Sequence, residues 1–392
     1  MRHVTSQLPE VFKERMQRSL GAEYEAFLGA LDGDPVVSLR FNTGKSGAAI
    51  EGTDPIPWAE NGVYLPARPR FFRDPFIYAG GYYVQEASSL LVAQWLDFNE
   101  VLRILDLCAA PGGKATLLAS RMSADSVLVA NELVGTRSRA LVDNLSRWGN
   151  PIVIVTNSHP RDFQPLRHSF DAVVIDAPCS GEGMFRKDPK VIGHWSPGVV
   201  RNCALRQKDI LRQVMDCVRP GGRLVYSTCT YNAEENEAIV QWLLRHEPGV
   251  WEVVPLEFPE AWGLVPGNTD DFGAEMRYTY HCFPHRVRGE GFYFACLRKV
   301  KAGRMVTMAP RKAKKHKRRG RGKFRDESVE RRPAVELGKK EMKVAAEYLN
   351  PDWELRERKE GFEALPASVV PVVDVLGEAL RIVKAGVRMG TV

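Results

Sequence analysis

Residues 101–120 read VLRILDLCAAPGGKATLLAS, and this stretch decides the fold class. The apolar run that ends at Asp106 predicts a buried strand, and the residues after Gly113 predict a helix. Glycines in the turn between them let the backbone approach a ligand closely, and the start of the helix presents free amide groups. The sequence therefore predicts a ligand site between a strand and a helix.

Similar apolar runs recur along the chain and are separated by helical stretches. They are SVLVANEL (126–133), PIVIVTN (151–157), FDAVVIDAP (170–178), RLVYSTC (223–229) and GFYFACLRKV (291–300). Near-continuous apolar strands are typical of a parallel sheet covered on both faces. We expect a helix to end at RPGG (219–222) and another near 233–246. The pattern predicts a Rossmann-like, doubly wound α/β sheet over residues 81–300, with ligands beyond the carboxyl ends of its strands.

The first 80 residues predict a small α+β subdomain. Residues 1–30 have the apolar periodicity of an amphipathic helix, and residues 36–80 contain short extended pieces. Basic and aromatic residues alternate in this second part, namely Arg40, Phe41, Tyr64, Arg68, Arg70, Phe71, Phe72 and Arg73. Such a mixture can hold phosphates and stack bases, which predicts RNA binding, or the rings can simply form the subdomain core. Both interpretations remain open from the sequence.

Composition excludes several classes of protein. The chain has 392 residues, 44% of them hydrophobic, which suits two or three globular domains. No apolar run approaches the roughly 18 residues that cross a bilayer, and the N-terminus lacks an apolar secretion signal. The seven cysteines are odd in number and scattered, so we expect reduced thiols. These features predict a soluble cytoplasmic protein.

The positive charge is concentrated in one segment. Residues 301–325 contain twelve Lys and Arg and no Asp or Glu, although the formal net charge of the whole chain is only +7. Such a run is typical of a flexible linker that binds a polyanion, and a localisation signal or solubilising tail is the alternative. Residues 326–392 look helical at first and then apolar, which predicts a small C-terminal domain, either complete or incomplete.

The glycine turn favours one kind of ligand. Glu132 ends the next predicted strand, twenty residues beyond Gly112, where an acidic side chain commonly binds ribose hydroxyls. The turn is not G-x-G-x-x-G, so a dinucleotide fits less well than an adenosyl ligand with a charged tail. S-adenosylmethionine is such a ligand.

Two further segments follow predicted strands and contain nucleophiles. DAPCSGEGMFRKDP begins at Asp176 and includes Cys179, and YSTCTYNAEENE begins at Tyr226 and includes Cys229. A thiolate is a strong nucleophile, whereas a single cysteine is more often a small buried residue. Two cysteines and a carboxylate at the ends of strands predict covalent chemistry.

Together the three segments resemble the RNA (cytosine-5) methyltransferases of the Sun/Fmu (NOL-NOP-Sun) family, whose members contain CAAPGGK-type, DAPCSG and S-T-C segments. The resemblance extends over about residues 36–300, including SLRFN (38–42), YYVQEASSLL (82–91) and PHRVRGEGFYFA (284–295). The basic linker and the C-terminal extension resemble the RsmF-type rRNA methyltransferases of this family.

The resemblance implies specific roles for site residues. Cys229 matches the nucleophile that adds to C6 of cytosine, Asp176 matches the carboxyl that stabilises the addition, and Cys179 matches the cysteine that assists product release. Lys114 lies near both ligands. The implied S-adenosylmethionine site comprises Cys108, Ala109, Ala110, Pro111, Gly112, Gly113, Lys114, Glu132 and Asp176, with Asn157 near the adenine. Ser158 or Asp162 can replace Asn157 in that role, and Asn157 can equally be a turn residue.

The implied partner is RNA, most simply ribosomal RNA or the small ribosomal subunit, bound by a monomer without a metal. His281, Cys282 and His285 lack the partner set of a zinc site. A stacked base must leave its helix before its ring faces can be attacked, which favours single-stranded or loop RNA. The alternatives are a tRNA substrate or a non-catalytic ribosome-assembly factor. A DNA substrate is disfavoured because DNA cytosine-5 methyltransferases use a nucleophile in a Pro-Cys segment, whereas Cys229 lies in a Ser-Thr-Cys segment.

Overall fold

A computed structural model describes residues 4–45, 52–303, 349, 352–358 and 361–390 of the protein. Most of the basic segment, from residue 304 onward, lies outside the described residues, as do residues 326–348. Within the described ranges, no helix is both long and apolar enough to cross a membrane.

Two helices open the chain in place of the single amphipathic helix that the sequence suggested. They are α1 (Glu10–Leu20) and α2 (Tyr24–Leu31). The break falls at Gly21, whose φ of 54° is rarely adopted by residues with a side chain. Phe12 of α1 and Phe27 of α2 are fully buried. The Phe12 ring packs against Phe185, 5.2 Å between ring centroids, which fixes the helices on the following domain.

A four-stranded antiparallel sheet follows. Its elements are β1 (Val37–Phe41), β2 (Asp54–Ile56), β3 (Ala59–Leu65), α3 (Pro75–Ala79) and β4 (Tyr82–Val84). The strand order is β2-β3-β1-β4. This sheet and the two helices confirm a distinct α+β N-terminal part.

Within the described residues, the central sheet contains ten strands. The parallel strands are β5 (Arg103–Asp106), β6 (Val127–Asn131), β7 (Val153–Thr156), β8 (Phe170–Asp176) and β9 (Val218–Thr228). They lie in the order β9-β8-β5-β6-β7. β5 is therefore central, with β6 and β7 on one side of it and β8 and β9 on the other. Antiparallel strands β10 (Trp251–Val253), β11 (Val265–Pro266), β12 (Tyr280–Cys282) and β13 (Phe292–Lys299) extend the β9 side. The predicted mostly parallel, Rossmann-like α/β sheet is confirmed.

Helices connect these strands, and the four longer ones bury apolar residues. They are α4 (Gly113–Arg121), α5 (Gly135–Trp148), α6 (Pro197–Val214), α7 (Glu237–His246) and α8 (Thr269–Phe272). The helix expected to end at RPGG stops earlier, at Val214, and Pro220, Gly221 and Gly222 lie within β9. Gly222 allows this because a Cβ there would lie 2.7 Å from the carbonyl oxygen of Asp171 on the neighbouring strand.

The C-terminal residues contribute to two sheets. Strands β14 (Trp353–Arg358) and β15 (Gly361–Pro366) pair with each other, then α9 (Val370–Ala379), β16 (Ile382–Ala385) and β17 (Val387–Gly390) follow. β17 pairs with β15, whereas β16 pairs antiparallel with β7 and becomes an edge strand of the central sheet. The end of the described chain is therefore attached to the sheet that positions the predicted site.

Candidate active site

The glycine loop, residues 108–114, connects β5 to α4 at the carboxyl edge of the parallel strands. Gly112 has a φ of 117°, which residues with a side chain rarely adopt. Arg137 and Asn144 of α5 donate hydrogen bonds to the carbonyl oxygens of Ala110 and Pro111, both at 2.8 Å. Hydrogen bonds from α5 thus hold the loop in place, and the first turn of α4 is available to a ligand.

Three carboxylates lie close to this loop, namely those of Asp106, Glu132 and Asp176. Asp106 is fully buried, and neither of its carboxylate oxygens has a hydrogen-bond partner among the described residues. Glu132 is also buried, accepts from the amide of Val134 at 2.8 Å and lies 3.4 Å from the guanidinium of Arg137. Burial raises the pKa of Asp106 to about 7. Carboxylates in excess over cations fit a ligand that carries positive charge, as the sulfonium and ammonium groups of S-adenosylmethionine do.

The two predicted cysteines are brought together. Asp176 of β8 pairs in register with Ser227 of β9, and Cys179 and Cys229 lie just beyond these two residues. Their sulfur atoms are 3.2 Å apart. The hydrogen bond to Cys229, together with burial, raises the pKa of Cys179 well above its ordinary value. Cys179 therefore remains a protonated thiol that can donate to the Cys229 sulfur.

Asp176 and Lys114 form an ion pair beside the thiols. The Lys114 Nζ is 2.8 Å from Asp176 Oδ2, and Ser227 donates a hydrogen bond to Asp176 Oδ1 at 2.9 Å. Burial opposes the charge of Lys114, but the Asp176 carboxylate outweighs it and the pKa of Lys114 is raised. Asp176 is thereby fixed in orientation, and its side chain remains one-third exposed to a ligand.

One cleft contains Cys229, Asp176, Lys114 and most of the glycine loop, whereas Asp106, Glu132 and Cys179 do not line it. It has a volume of about 270 Å³ and is lined by the glycine loop, Lys114, Asp176 and Cys229. Tyr83 and Gln85 from the N-terminal part and Glu290 and Phe292 near β13 complete it. Their segments, YYVQEASSLL and GEGFYFA, were recognised in the sequence, but no role was predicted for these residues. The only signal for these residues was their place in the two recognised segments. Nothing in the spacing of the residues indicated that they line a cleft.

Two buried glutamates, which the sequence analysis also missed, support the cysteine loops. Glu182 accepts hydrogen bonds from the Thr230 hydroxyl and from the amides of Tyr231 and Asn232, at 2.5 to 3.0 Å. Glu235 accepts from the Ser180 amide at 3.0 Å. Each glutamate thus links the loop after β8 to the loop after β9. Both glutamates lie inside the two segments that contain Cys179 and Cys229. Nothing in the sequence distinguished their supporting role from the chemical role of the cysteines.

Asn157 does not point freely toward a ligand. Its amide group donates to the carbonyl oxygens of Glu132 and Leu133, at 2.7 and 3.0 Å, and its Oδ1 accepts from Arg381, at 3.2 Å. Arg381 directly precedes β16. Asn157 therefore positions the backbone next to Glu132 and contacts the C-terminal residues, and its predicted contact with adenine stays a prediction.

The histidines of the late segment bind carboxylates. His281 Nε2 lies 2.8 Å from Glu237, and His285 Nε2 lies 2.8 Å from Glu23. Within the described ranges, no group of three or more His, Cys, Asp and Glu side chains is placed to hold a metal ion.

Comparison with known proteins connects this geometry to a family. A family model described as 16S rRNA methyltransferase RsmB/F matches residues 93–298, and one described as the N-terminal domain of 16S rRNA methyltransferase RsmF matches residues 8–87. Ribosomal RNA small subunit methyltransferase F of Escherichia fergusonii is 37% identical over 317 residues, which cover 76% of this chain and 64% of that protein. The chain thus spans less than two-thirds of the length of the curated relatives that it matches.

Two solved structures are also similar to this chain. A methyltransferase homolog protein from Pyrococcus horikoshii has a TM-score of 0.64 and 29% identity, covering 76% of this chain and 99% of that one. NSun6 from the same organism also has a TM-score of 0.64, over 75% of this chain and 99% of that one, and its 20% identity supports the fold alone. The resemblance noted in the sequence is confirmed, because one family model matches more than half of the residues. The chain belongs to the 16S rRNA methyltransferase RsmB/F family.

Proposed function

We propose that this protein is an S-adenosylmethionine-dependent RNA (cytosine-5) methyltransferase that acts on 16S ribosomal RNA through a covalent adduct. Family membership and the name of its curated relatives support an rRNA substrate. The observation that carries the cytosine-5 chemistry is the pair of cysteine sulfurs, 3.2 Å apart. A protein that only binds RNA has no need of two thiols beside an ion-paired carboxylate.

The chemistry follows from the weakness of C5 of cytosine as a nucleophile. Addition of the Cys229 thiolate to C6 makes the C5–C6 unit enamine-like and builds negative charge on the ring. The Asp176 carboxyl is proposed to hold the N3/N4 edge by accepting a hydrogen bond from the N4 amino group, and the Lys114 ammonium beside it offsets the negative charge. Lys114 holds Asp176 in this orientation through the 2.8 Å ion pair. After methyl transfer a water molecule accepts the C5 proton, and the electron pair of the C5–H bond forms the C5–C6 double bond. The bond between C6 and the Cys229 sulfur breaks with its electron pair on sulfur, and the methylated base departs.

Cys179 is proposed to act in this last stage. Its thiol remains protonated beside Cys229, so it can donate a proton to the leaving sulfur as the adduct collapses. Removal of Cys179 is then expected to slow product release more than addition.

The methyl donor would occupy the glycine loop. S-adenosylmethionine, when bound, supplies an electrophilic methyl group. We assign its binding to residues 108–114, Glu132 and Asp176, and the carboxylates of the last two supply negative charge that suits a cationic ligand. The backbone at Gly112 permits a close approach, because its φ of 117° is one that residues with a side chain rarely adopt.

The test measures transfer of labelled methyl groups from S-adenosylmethionine to naked 16S rRNA, assembled small subunits, tRNA and DNA, followed by bisulfite mapping. We expect one 5-methylcytosine in 16S rRNA. The Cys229→Ala variant should lose transfer, and the Cys179→Ala variant should accumulate a protein–RNA adduct that survives denaturing electrophoresis. Cys203→Ala is the matched control, because Cys203 is a half-buried free thiol on α6 outside the cleft.

Each alternative has a distinct result. If only tRNA is methylated, the substrate is tRNA instead of 16S rRNA, and the proposed cytosine-5 chemistry stands. Normal turnover by Cys179→Ala without an adduct would refute the assigned division of roles. If the wild-type protein binds S-adenosylmethionine but methylates none of the RNAs, and Cys229→Ala complements a deletion strain, the chain is an assembly factor.

A further inference from the structure

The arginines and aromatic residues that alternate in the N-terminal sequence separate into two groups in the structure. Arg40 and Tyr64 are 3% and 4% exposed and belong to the interior. The guanidinium of Arg40 donates to Thr116 of α4 at 2.6 Å and stacks over the Trp148 ring, 4.3 Å from its centroid. These residues connect the N-terminal sheet to the catalytic domain. They are not available to RNA.

The second group forms an exposed surface. Phe72, Phe76 and Tyr78 are 66%, 42% and 55% exposed, although they lie within seven residues of each other. Arg68, Arg70 and Arg73 of the same segment are also exposed, as is Arg147 of α5. We call residues 68–78 together with Arg147 the aromatic ridge. Clustered large apolar side chains on a surface usually mark an interaction site.

The ridge is held in a fixed conformation. Asp74 caps α3 by accepting from the Phe76 amide at 2.9 Å, and it also accepts from the Tyr82 hydroxyl at 2.7 Å. The Tyr78 hydroxyl donates to the carbonyl oxygen of Phe72 at 3.1 Å. Phe71 packs against the buried Tyr82 ring and anchors the segment. The exposed rings are therefore presented with little loss of conformational entropy on binding.

No described residue neutralises the charge of the ridge arginines. None of Arg68, Arg70, Arg73 and Arg147 makes an ion pair with a described residue. Three of them lie over ridge rings, Arg68 over Phe71, Arg73 over Phe72 and Arg147 over Tyr78, at 5.5 to 5.8 Å. The one acidic residue of the segment, Asp74, is used in the hydrogen bonds described above. The surface is thus aromatic and cationic, which complements bases and phosphates.

The ridge adjoins the candidate active site. The helix α3 ends at Ala79, and β4 begins three residues later with Tyr82, Tyr83 and Val84. Tyr83 and Val84 line the cleft that contains Cys229. At about 3.3 Å per extended residue, the five residues from Tyr78 to Tyr83 separate the end of the ridge from the cleft by at most roughly 17 Å.

We infer that the aromatic ridge binds single-stranded RNA that flanks the target nucleotide, by stacking unpaired bases on Phe72, Phe76 and Tyr78 and pairing phosphates with the arginines. Rings that lie open can stack with bases of any sequence, whereas paired bases in a duplex do not offer their faces. The inference rests on the proposed RNA substrate. It adds that the RNA next to the target is unpaired and lies over the N-terminal part.

The test compares full-length proteins in fluorescence anisotropy with a labelled twelve-nucleotide single-stranded RNA and the same RNA in duplex form. Phe72→Ser with Phe76→Ser should weaken single-strand binding at least tenfold and change duplex binding little. Arg68→Gln with Arg73→Gln should lower the slope of log affinity against log salt by about 1.4, because two phosphate contacts are lost. Val101→Ser and Arg103→Gln are matched controls, since both are exposed at the opposite edge of the sheet.

Photocrosslinking makes the assignment specific to the ridge, because the basic segment after residue 300 also attracts RNA. Bromouridine-containing RNA should crosslink to peptides that contain Phe72, Phe76 or Tyr78. Unchanged single-strand affinity in both double variants, or crosslinks only outside the ridge, would overturn the inference. If the variants bind RNA normally but no longer cosediment with small subunits, the ridge binds a protein. Because these assays measure binding, they remain decisive even if methyl transfer fails.

Discussion

Replacement of Gly183 by alanine tests whether the backbone around Cys229 controls catalysis. The Gly183 amide donates a hydrogen bond to the carbonyl oxygen of Cys229 at 2.9 Å. A Cβ at this position would lie 2.6 Å from the carbonyl oxygen of Gly291 and 3.1 Å from that of Cys229. Both neighbours are backbone atoms next to strands of the central sheet, so they cannot rotate away as a side chain would.

The size of the effect follows from these distances. Ordinary van der Waals contact begins near 3.4 Å, so the loops must separate by about 0.8 Å. Overpacking of this kind costs about 1–3 kcal/mol of stability, equivalent to a fall in Tm of roughly 2–6 °C. A displacement near 1 Å of a reacting group lowers the rate by on the order of 100-fold. We therefore expect Gly183→Ala to fold but to lose most of its kcat.

The assay is single-turnover methyl transfer with saturating RNA, accompanied by thermal unfolding and by calorimetry of S-adenosylmethionine binding. Cofactor affinity should fall much less than kcat, because the clash involves no residue of the glycine loop, although Gly183 and Gly291 line the same cleft. Gly193→Ala is the matched control, since a Cβ there meets no atom within 4 Å. A Gly183→Ala protein with wild-type kcat and Tm would refute the claim that this contact fixes Cys229.

Three further predictions use buried or paired groups. Arg40→Met should destabilise the protein by about 2–4 kcal/mol and weaken S-adenosylmethionine binding, because it removes the bond to Thr116 of α4; urea unfolding and calorimetry measure both. Burial raises the pKa of Asp106 from 3.8 to about 7, so the folded state retains a proton that the unfolded state loses, and stability should fall as pH rises from about 4 through 7. Asp106→Asn should remove a few kcal/mol of this decline, and an unchanged Tm difference between pH 5 and pH 8 would contradict the reasoning. Hydrogen peroxide should oxidise the adjacent Cys179 and Cys229 thiols to a disulfide, with release of water, and abolish methyl transfer until a reductant is added. Peptide mass spectrometry identifies the linked pair. Inhibition that persists after reduction would contradict this prediction.

The sequence alone predicted the parts of the site that depend on local order. Apolar runs and the Pro-Gly-Gly turn identify strands and a ligand loop, because the side-chain period of a strand and the backbone freedom of glycine are properties of a few consecutive residues. Since parallel strands end at one edge, Asp176, Cys179 and Cys229 were expected to lie near each other. The family resemblance added their roles as predictions.

Only the tertiary structure decided which side chains meet across the chain. The 3.2 Å distance between Cys179 and Cys229 depends on the register of β8 with β9, and the two cysteines are fifty residues apart. The sequence likewise could not separate Arg40, buried against α4, from the exposed Arg73, because both lie among aromatic residues. The pairing of β16 with β7 was invisible for the same reason. Local pattern determines which residues form an element, whereas burial and contact depend on packing between elements that are distant in sequence.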